Sequence, residues 1–137
     1  MYLKLTALTT FNILDSDIAD TEIIRLTGLQ HLKRMTITNC ENDNYLQLND
    51  LKALEAFKYT RQRKMPNLKQ LYVLPKLKLI TILEMRGDIN DTDIQLLTIM
   101  HQVEHFTFSK YSSFDIYKWR RQFEEGNRTV SYVDEDD

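Results

Sequence analysis

The sequence predicts an α/β solenoid of about five repeats plus a C-terminal cap, its strands stacked into one curved parallel sheet on the concave face. Two observations carry this. An apolar frame recurs along nearly the whole chain, and its interval is too short for ordinary strand-helix-strand units, which need about 30 residues or more.

The frame is L-x-x-L-x-x-L-x-x-L-x-L, with L any large apolar residue. It fits Tyr2, Leu5, Leu8, Phe11 and Ile13, then Leu26, Leu29, Leu32, Met35 and Ile37. Leu48, Leu51, Leu54, Phe57 and Tyr59 follow. The fourth row is Leu74, Leu77, Ile80, Leu83 and Met85, and the fifth is Leu97, Met100, Val103, Phe106 and Phe108. All 25 frame positions are apolar against a background of 42%, which chance explains poorly. The last position falls at 13, 37, 59, 85 and 108, giving steps of 24, 22, 26 and 23. These lie in the 20–29-residue range of leucine-rich repeats.

Each part of the frame has a physical cause. The closing L-x-L is a short strand that sends two apolar side chains to one face and the residues between and beside them to the other. The three-residue spacing before it keeps one side of a helical turn apolar. One unit cannot bury that face alone, but stacked units share a core. A further step of 24 reaches Tyr132 inside the alternating run Thr129–Val133, so six parallel strands are expected. Before it, Ile116, Trp119 and Phe123 keep helical spacing and should cover the last repeat, with Gly126-Asn127 ending that helix. Residues 1–133 thus form a single domain with its cap at 112–133, and 134–137 are an acidic tail. The first frame opens at Tyr2, so the N-terminal edge is expected to be covered by a partner or a missing domain.

Asp17-Ile18-Ala19-Asp20-Thr21-Glu22-Ile23 and Asp88-Ile89-Asn90-Asp91-Thr92-Asp93-Ile94 occupy equivalent places in repeats one and four. Helix N-capping by Asp20 and Asp91 is the expected role. A cation site is the sharper alternative, but the glycine and spacing of a calcium loop are missing.

The stretch from Asp17 to Cys40, D-I-x-D-T-x-I-x-x-L-x-x-L-x-x-L-x-x-M-x-I-x-x-C, resembles the cysteine-containing leucine-rich repeats of F-box proteins, as does Asp88 to Phe108. Trp119–Phe123 with Arg128–Tyr132 resembles the helix and strand that close such arrays. The chain contains no F-box. Three residues after each strand the family prefers Asn or Cys. Cys40 fits, whereas Ser16, Gln62, Asp88 and Tyr111 do not. The resemblance implies a substrate-recognition part of a ubiquitin ligase.

Composition bounds the function further. No apolar run approaches the ~20 residues that span a bilayer, and the first residues lack the pattern of a signal peptide. A single cysteine, Cys40, fits a reducing compartment, so cytoplasm or nucleus is expected. The formal charge is −2, and +2 without the terminal Asp134–Asp137, which gives no global attraction to nucleic acid or membrane. The basic run Arg61-Gln62-Arg63-Lys64 supplies few phosphate contacts, so it is read first as a solvated loop.

No catalytic residue, cofactor or metal is expected. His101 and His105 are spaced i, i+4, but the frame puts His105 at the start of a strand, which spoils chelation. Cys40 is expected as a small buried hydrophobe. The candidates for binding are the strand residues facing away from the core. Partner-binding residues on the concave face are expected to be Asn12, Arg34, Thr36, Lys58, Glu84, Arg86, His105 and Thr107. The column Asn12, Thr36, Lys58, Glu84 and Thr107 is polar and of mixed charge, which suits a protein surface better than a small apolar molecule. A protein-protein recognition module is therefore the leading expectation. A structural subunit or assembly factor held in a larger complex is the alternative, and nucleic acid is disfavoured.

Overall fold

The computed structural model describes residues 8–14, 30–40, 48–87, 90–109 and 116–133. The first Asp-Ile-x-Asp-Thr segment, Asp88, Ser16, Tyr111 and the acidic tail lie outside them. The fold is α/β, with one open sheet of six strands: β1 Thr10–Leu14, β2 Arg34–Thr38, β3 Ala56–Thr60, β4 Leu79–Leu83, β5 His105–Ser109 and β6 Thr129–Val133. All five pairings are parallel, and the spatial order is the chain order. Three helices are described, α1 Leu68–Tyr72, α2 Asp91–Thr98 and α3 Ile116–Glu124. Leu48–Asp50 makes only a 3₁₀ turn in the corresponding place before β3.

Parallel neighbours in register place like positions side by side, and the interior is built from two such rows. Phe11, Met35, Phe57, Ile80, Phe106 and Val130 form one, and Ile37, Tyr59, Ile82, Phe108 and Tyr132 the other. From β2 to β5 every member of both rows is at most 2% exposed. The three-residue series underneath completes the core: Leu48, Leu51 and Leu54 before β3, then Leu71, Leu74 and Leu77 before β4, then Leu97, Met100 and Val103 before β5. Phe123 of α3 packs edge-on to Phe106 with ring centres 4.8 Å apart, and tilted to Phe108 at 5.2 Å. Trp119 packs partly buried against the same core, as the helical spacing predicts.

The fourth row corrects the expected frame. Ile80 and Ile82, not Leu83 and Met85, are the inward pair of β4. Leu71, Leu74, Leu77, Ile80 and Leu83 all keep the three-residue spacing, so two frames fit the same letters. The strand forms where the β-branched run Ile80-Thr81-Ile82 favours it. Leu83 consequently faces away from the core, and Met85 lies past the strand, partly buried. The strand-end intervals become 24, 22, 23 and 26.

The chain leaves three strands by one device. Asn39, Arg61 and Glu84, the residues immediately after β2, β3 and β4, have φ of 50°, 55° and 52°. This left-handed conformation comes easily to Asn but costs other L-residues about 1 kcal/mol or more. Hydrogen bonds hold it: Asn39 N–H donates to Thr60 O at 3.0 Å, Arg61 N–H to Leu83 O at 3.1 Å, and Glu84 N–H to Ser109 Oγ at 2.7 Å.

Beyond the first of these turns the backbone of Cys40 is buried and is satisfied by Gln62 of the next repeat. Cys40 N–H donates to Gln62 Oε1 at 2.6 Å, and Gln62 Nε2 donates back to Cys40 O at 2.7 Å. Gln62, itself 2% exposed, makes both bonds. Gly87 is required by a close approach, because a Cβ there would sit 2.0 Å from Arg63 O.

Two helix ends are also explained locally. Asn90, rather than the expected Asp91, caps α2: its Oδ1 accepts the Asp93 N–H at 2.9 Å. The Asp93 carboxyl is pushed up by burial, against the lowering effect of the backbone hydrogen bond it accepts from Asn90. Arg128, 5% exposed, donates to Thr98 O at 2.7 Å, to Glu125 O at 2.9 Å and to Gln122 O. One guanidinium thus gathers carbonyls from the ends of α2 and α3, where a cation also meets the favourable end of the helix dipole. Burial lowers its pKa, opposed by the nearby Glu125 carboxylate.

Two stability outcomes follow. Ile82→Ala should cost roughly 2–5 kcal/mol as a core cavity, whereas Leu83→Ala, on the opposite face, should cost less than about 1 kcal/mol. Urea titrations check this, and the reverse ranking would restore the unshifted frame. Gln62→Ala strands one buried donor and one buried acceptor at Cys40, and at roughly 1–3 kcal/mol each the same titration should read a loss of about 2–6 kcal/mol.

Candidate functional site

Alternation in each strand sends the remaining residues to the side away from the helices, in three further rows. The first is Thr10, Arg34, Ala56, Leu79, His105 and Thr129, and the middle one is Asn12, Thr36, Lys58, Thr81, Thr107 and Ser131. Both rows are half-buried to exposed, and no described element lies over them. The third row, at the C-terminal ends of the strands, is less open at Thr60 and Ser109. Thr60 Oγ1 donates to Thr38 Oγ1 at 2.9 Å, and Ser109 is 1% exposed beneath the Glu84 turn.

Six of the eight expected residues fall on the two open rows: Asn12, Arg34, Thr36, Lys58, His105 and Thr107. Arg34 and Lys58 are exposed and have no ion-pair partner among the described residues. His105 shares a hydrogen bond through Nδ1 with Thr129 Oγ1 on the next strand. It opens β5, while His101 sits in the turn before that strand, so the two share no helix.

Glu84 and Arg86 are the corrections. The shifted register of β4 takes both off the sheet. Glu84 occupies the left-handed turn and pairs with Arg61 at 2.6 Å, and Arg86 Nη1 donates to Asn39 Oδ1 at 3.0 Å. They belong to a polar cluster that braces successive turns. In their place the middle row contains Thr81, and Leu79 joins the first row. The signal for Thr81 was the β-branched triplet around it, which the apolar frame outweighed. Within the basic run, Gln62 is structural and Arg61 is paired, leaving Arg63 and Lys64 as its exposed charges without a described partner.

The middle of this face is dented. Ala56 is its smallest side chain, and around it Arg34, Thr36, Lys58, Leu79 and Thr81 line a hollow of about 170 Å³. That is below the range of roughly 300–1,000 Å³ typical of small-molecule pockets. It suits a single protruding side chain. At the other end of the strands, Lys33 and Glu55 lie 4.0 Å apart and Lys78 and Glu104 3.2 Å apart, so the acids bordering the first row are engaged with their own cations.

Comparison with protein-family models, curated proteins and solved structures finds no match. Among the described residues, no helix is long and apolar enough to cross a membrane.

Proposed function

We propose that this chain is a leucine-rich-repeat module that binds a protein partner on the outward face of its sheet, without catalysing a reaction. The observation that carries the proposal is the pair of open rows running across all six strands, polar along the whole middle row, with a side-chain-sized hollow at their centre. Stacked repeats commonly present such a face, concave in solenoids, to an extended or convex partner. The resemblance to F-box leucine-rich-repeat proteins suggests a substrate-recognition role for a ubiquitin ligase, in cytoplasm or nucleus.

A second reading, a subunit fixed in a larger assembly, has its own support on the helical side. Tyr72, Val73 and Ile99 are large apolar residues left 48%, 49% and 41% exposed. Val73 and Ile99 immediately follow α1 and α2, so they occupy like positions in successive repeats. A partner held there would leave the sheet face open.

Affinity capture from cells with paired variants separates the readings. Ala56→Trp with Thr81→Trp fills the hollow, and Val73→Lys with Ile99→Lys charges the helical side. The proposal expects the specific partner to be lost at least tenfold with the first pair and kept with the second, both chains melting cooperatively. Loss only with the second pair would establish the fixed-subunit reading.

A further inference from the structure

We infer that the partner segment seated on this face is acidic and extended, with carboxylates on alternate residues. The inference rests on the proposed use of the sheet face and adds the chemistry of what it recognises. The observation behind it is the charge pattern that the true register of β4 creates. Among the described side chains, three rows supply seventeen outward strand positions, and not one is Asp or Glu, although the chain has 20 of these residues. Two are cations, Arg34 and Lys58, one is His105, and nine are Ser or Thr. Glu84, which the uncorrected frame puts in the central column, borders the face only at its far end and is held by Arg61. Glu55 and Glu104 on the opposite border are taken up by Lys33 and Lys78.

Arg34 and Lys58 are therefore the charges this face offers without an internal counterion among the described residues, and both line the hollow. They sit diagonally on neighbouring strands, Arg34 beside Ala56 and Lys58 two residues further on. With strands about 4.8 Å apart and a two-residue step of about 6.6 Å, such positions lie roughly 8 Å apart. In an extended peptide, same-side residues i and i+2 are spaced by about 6.5–7 Å. Two carboxylates on one side of such a segment match the two cations. The hydroxyls of Thr36 and Thr81, at the rim, can donate to the same carboxylates.

The same inventory argues against the other anions. Single-stranded nucleic acid wants aromatic platforms for its bases, and none of the seventeen positions is aromatic. Two unpaired cations also give few phosphate contacts. A membrane surface would want inserted apolar or aromatic side chains around a larger basic patch, whereas the open middle row is polar from end to end.

The test uses the full ¹⁵N-labelled chain and the synthetic peptide Ser-Asp-Val-Asp-Val-Asp-Ser, with its Asp-to-Asn counterpart and a seven-nucleotide oligouridylate as comparisons. The acidic peptide should shift amides in 34–38, 56–60 and 79–83. Its affinity should fall at least tenfold in the Asn peptide, in the Arg34→Glu/Lys58→Glu chain, and between 50 and 500 mM salt. Equal binding of the Asn peptide, or no shifts with the acidic one, would overturn the acidic inference. Stronger binding of the oligouridylate at the same strands would replace it with nucleic-acid recognition. Concentration-dependent shifts in the same strands without peptide would assign the face to a second copy and its acidic terminus, also against the inference. Failure here, with partner capture still lost on filling the hollow, leaves the sheet-face reading standing. Failure of both removes it.

Discussion

From β2 to β5 the two inward side chains of each five-residue strand lie beside those of the neighbouring strands. Phe57 and Tyr59 lie between Met35 and Ile37 on one side and Ile80 and Ile82 on the other, in parallel register. That register is the constraint on which the molecule depends. A slip by one residue would expose the apolar pairs and bury Lys58 and Thr81 among them. Because parallel strands repeat the same direction, the chain must return across the sheet between every two of them. The buried leucines at three-residue spacing line those returns, on α1, on α2, on the 3₁₀ turn Leu48–Asp50 and on the segments that follow them.

The returns bring backbone polar groups into the interior, and the structure satisfies them with side chains from the adjoining repeat. Gln62 bonds both sides of Cys40, Ser109 Oγ receives the Glu84 N–H, and Gln102 Nε2 donates to Leu74 O at 3.3 Å. Arg128 serves the last two helix ends in the same manner. Neighbouring repeats are thus tied by polar links as well as by apolar packing. The left-handed turns at Arg61 and Glu84 persist, despite their cost, because the bonds they make lie between repeats.

Much of this was legible in the sequence. The strands β1, β2, β3, β5 and β6, the inward pairs from Met35/Ile37 to Phe106/Phe108 outside β4, and Phe123 as an anchor follow from spacing alone. The failure at β4 has a specific cause: Leu71 to Leu83 is one unbroken series at three-residue intervals, so periodicity fixes the face and not the phase. Choosing the phase needs strand propensity at Ile80-Thr81-Ile82 and a pairing partner in β3, and only the second is a three-dimensional fact. The turn residues were hidden for another reason. Asn39 announces a left-handed conformation, while Arg61 and Glu84 adopt it through hydrogen bonds to residues 22 and 25 positions away. Asn90 was overlooked beside Asp91 because both can cap and only the backbone decides which one precedes the helix.

The candidate site suffered most from the phase error, since a shift of β4 exchanges Ile82, Glu84 and Arg86 for Leu79, Thr81 and Leu83 on the outward face of the sheet. The exchange turns a face of mixed charge into one without acids. Thiol labelling of a Thr81→Cys chain, free and bound to its captured partner, tests this account most directly, with Val73→Cys as reference. The account predicts fast labelling at position 81 in the free chain, slowed at least tenfold in the complex, and an unchanged rate at position 73. Slow labelling at 81 in the free chain, or protection at 73 alone in the complex, would contradict it.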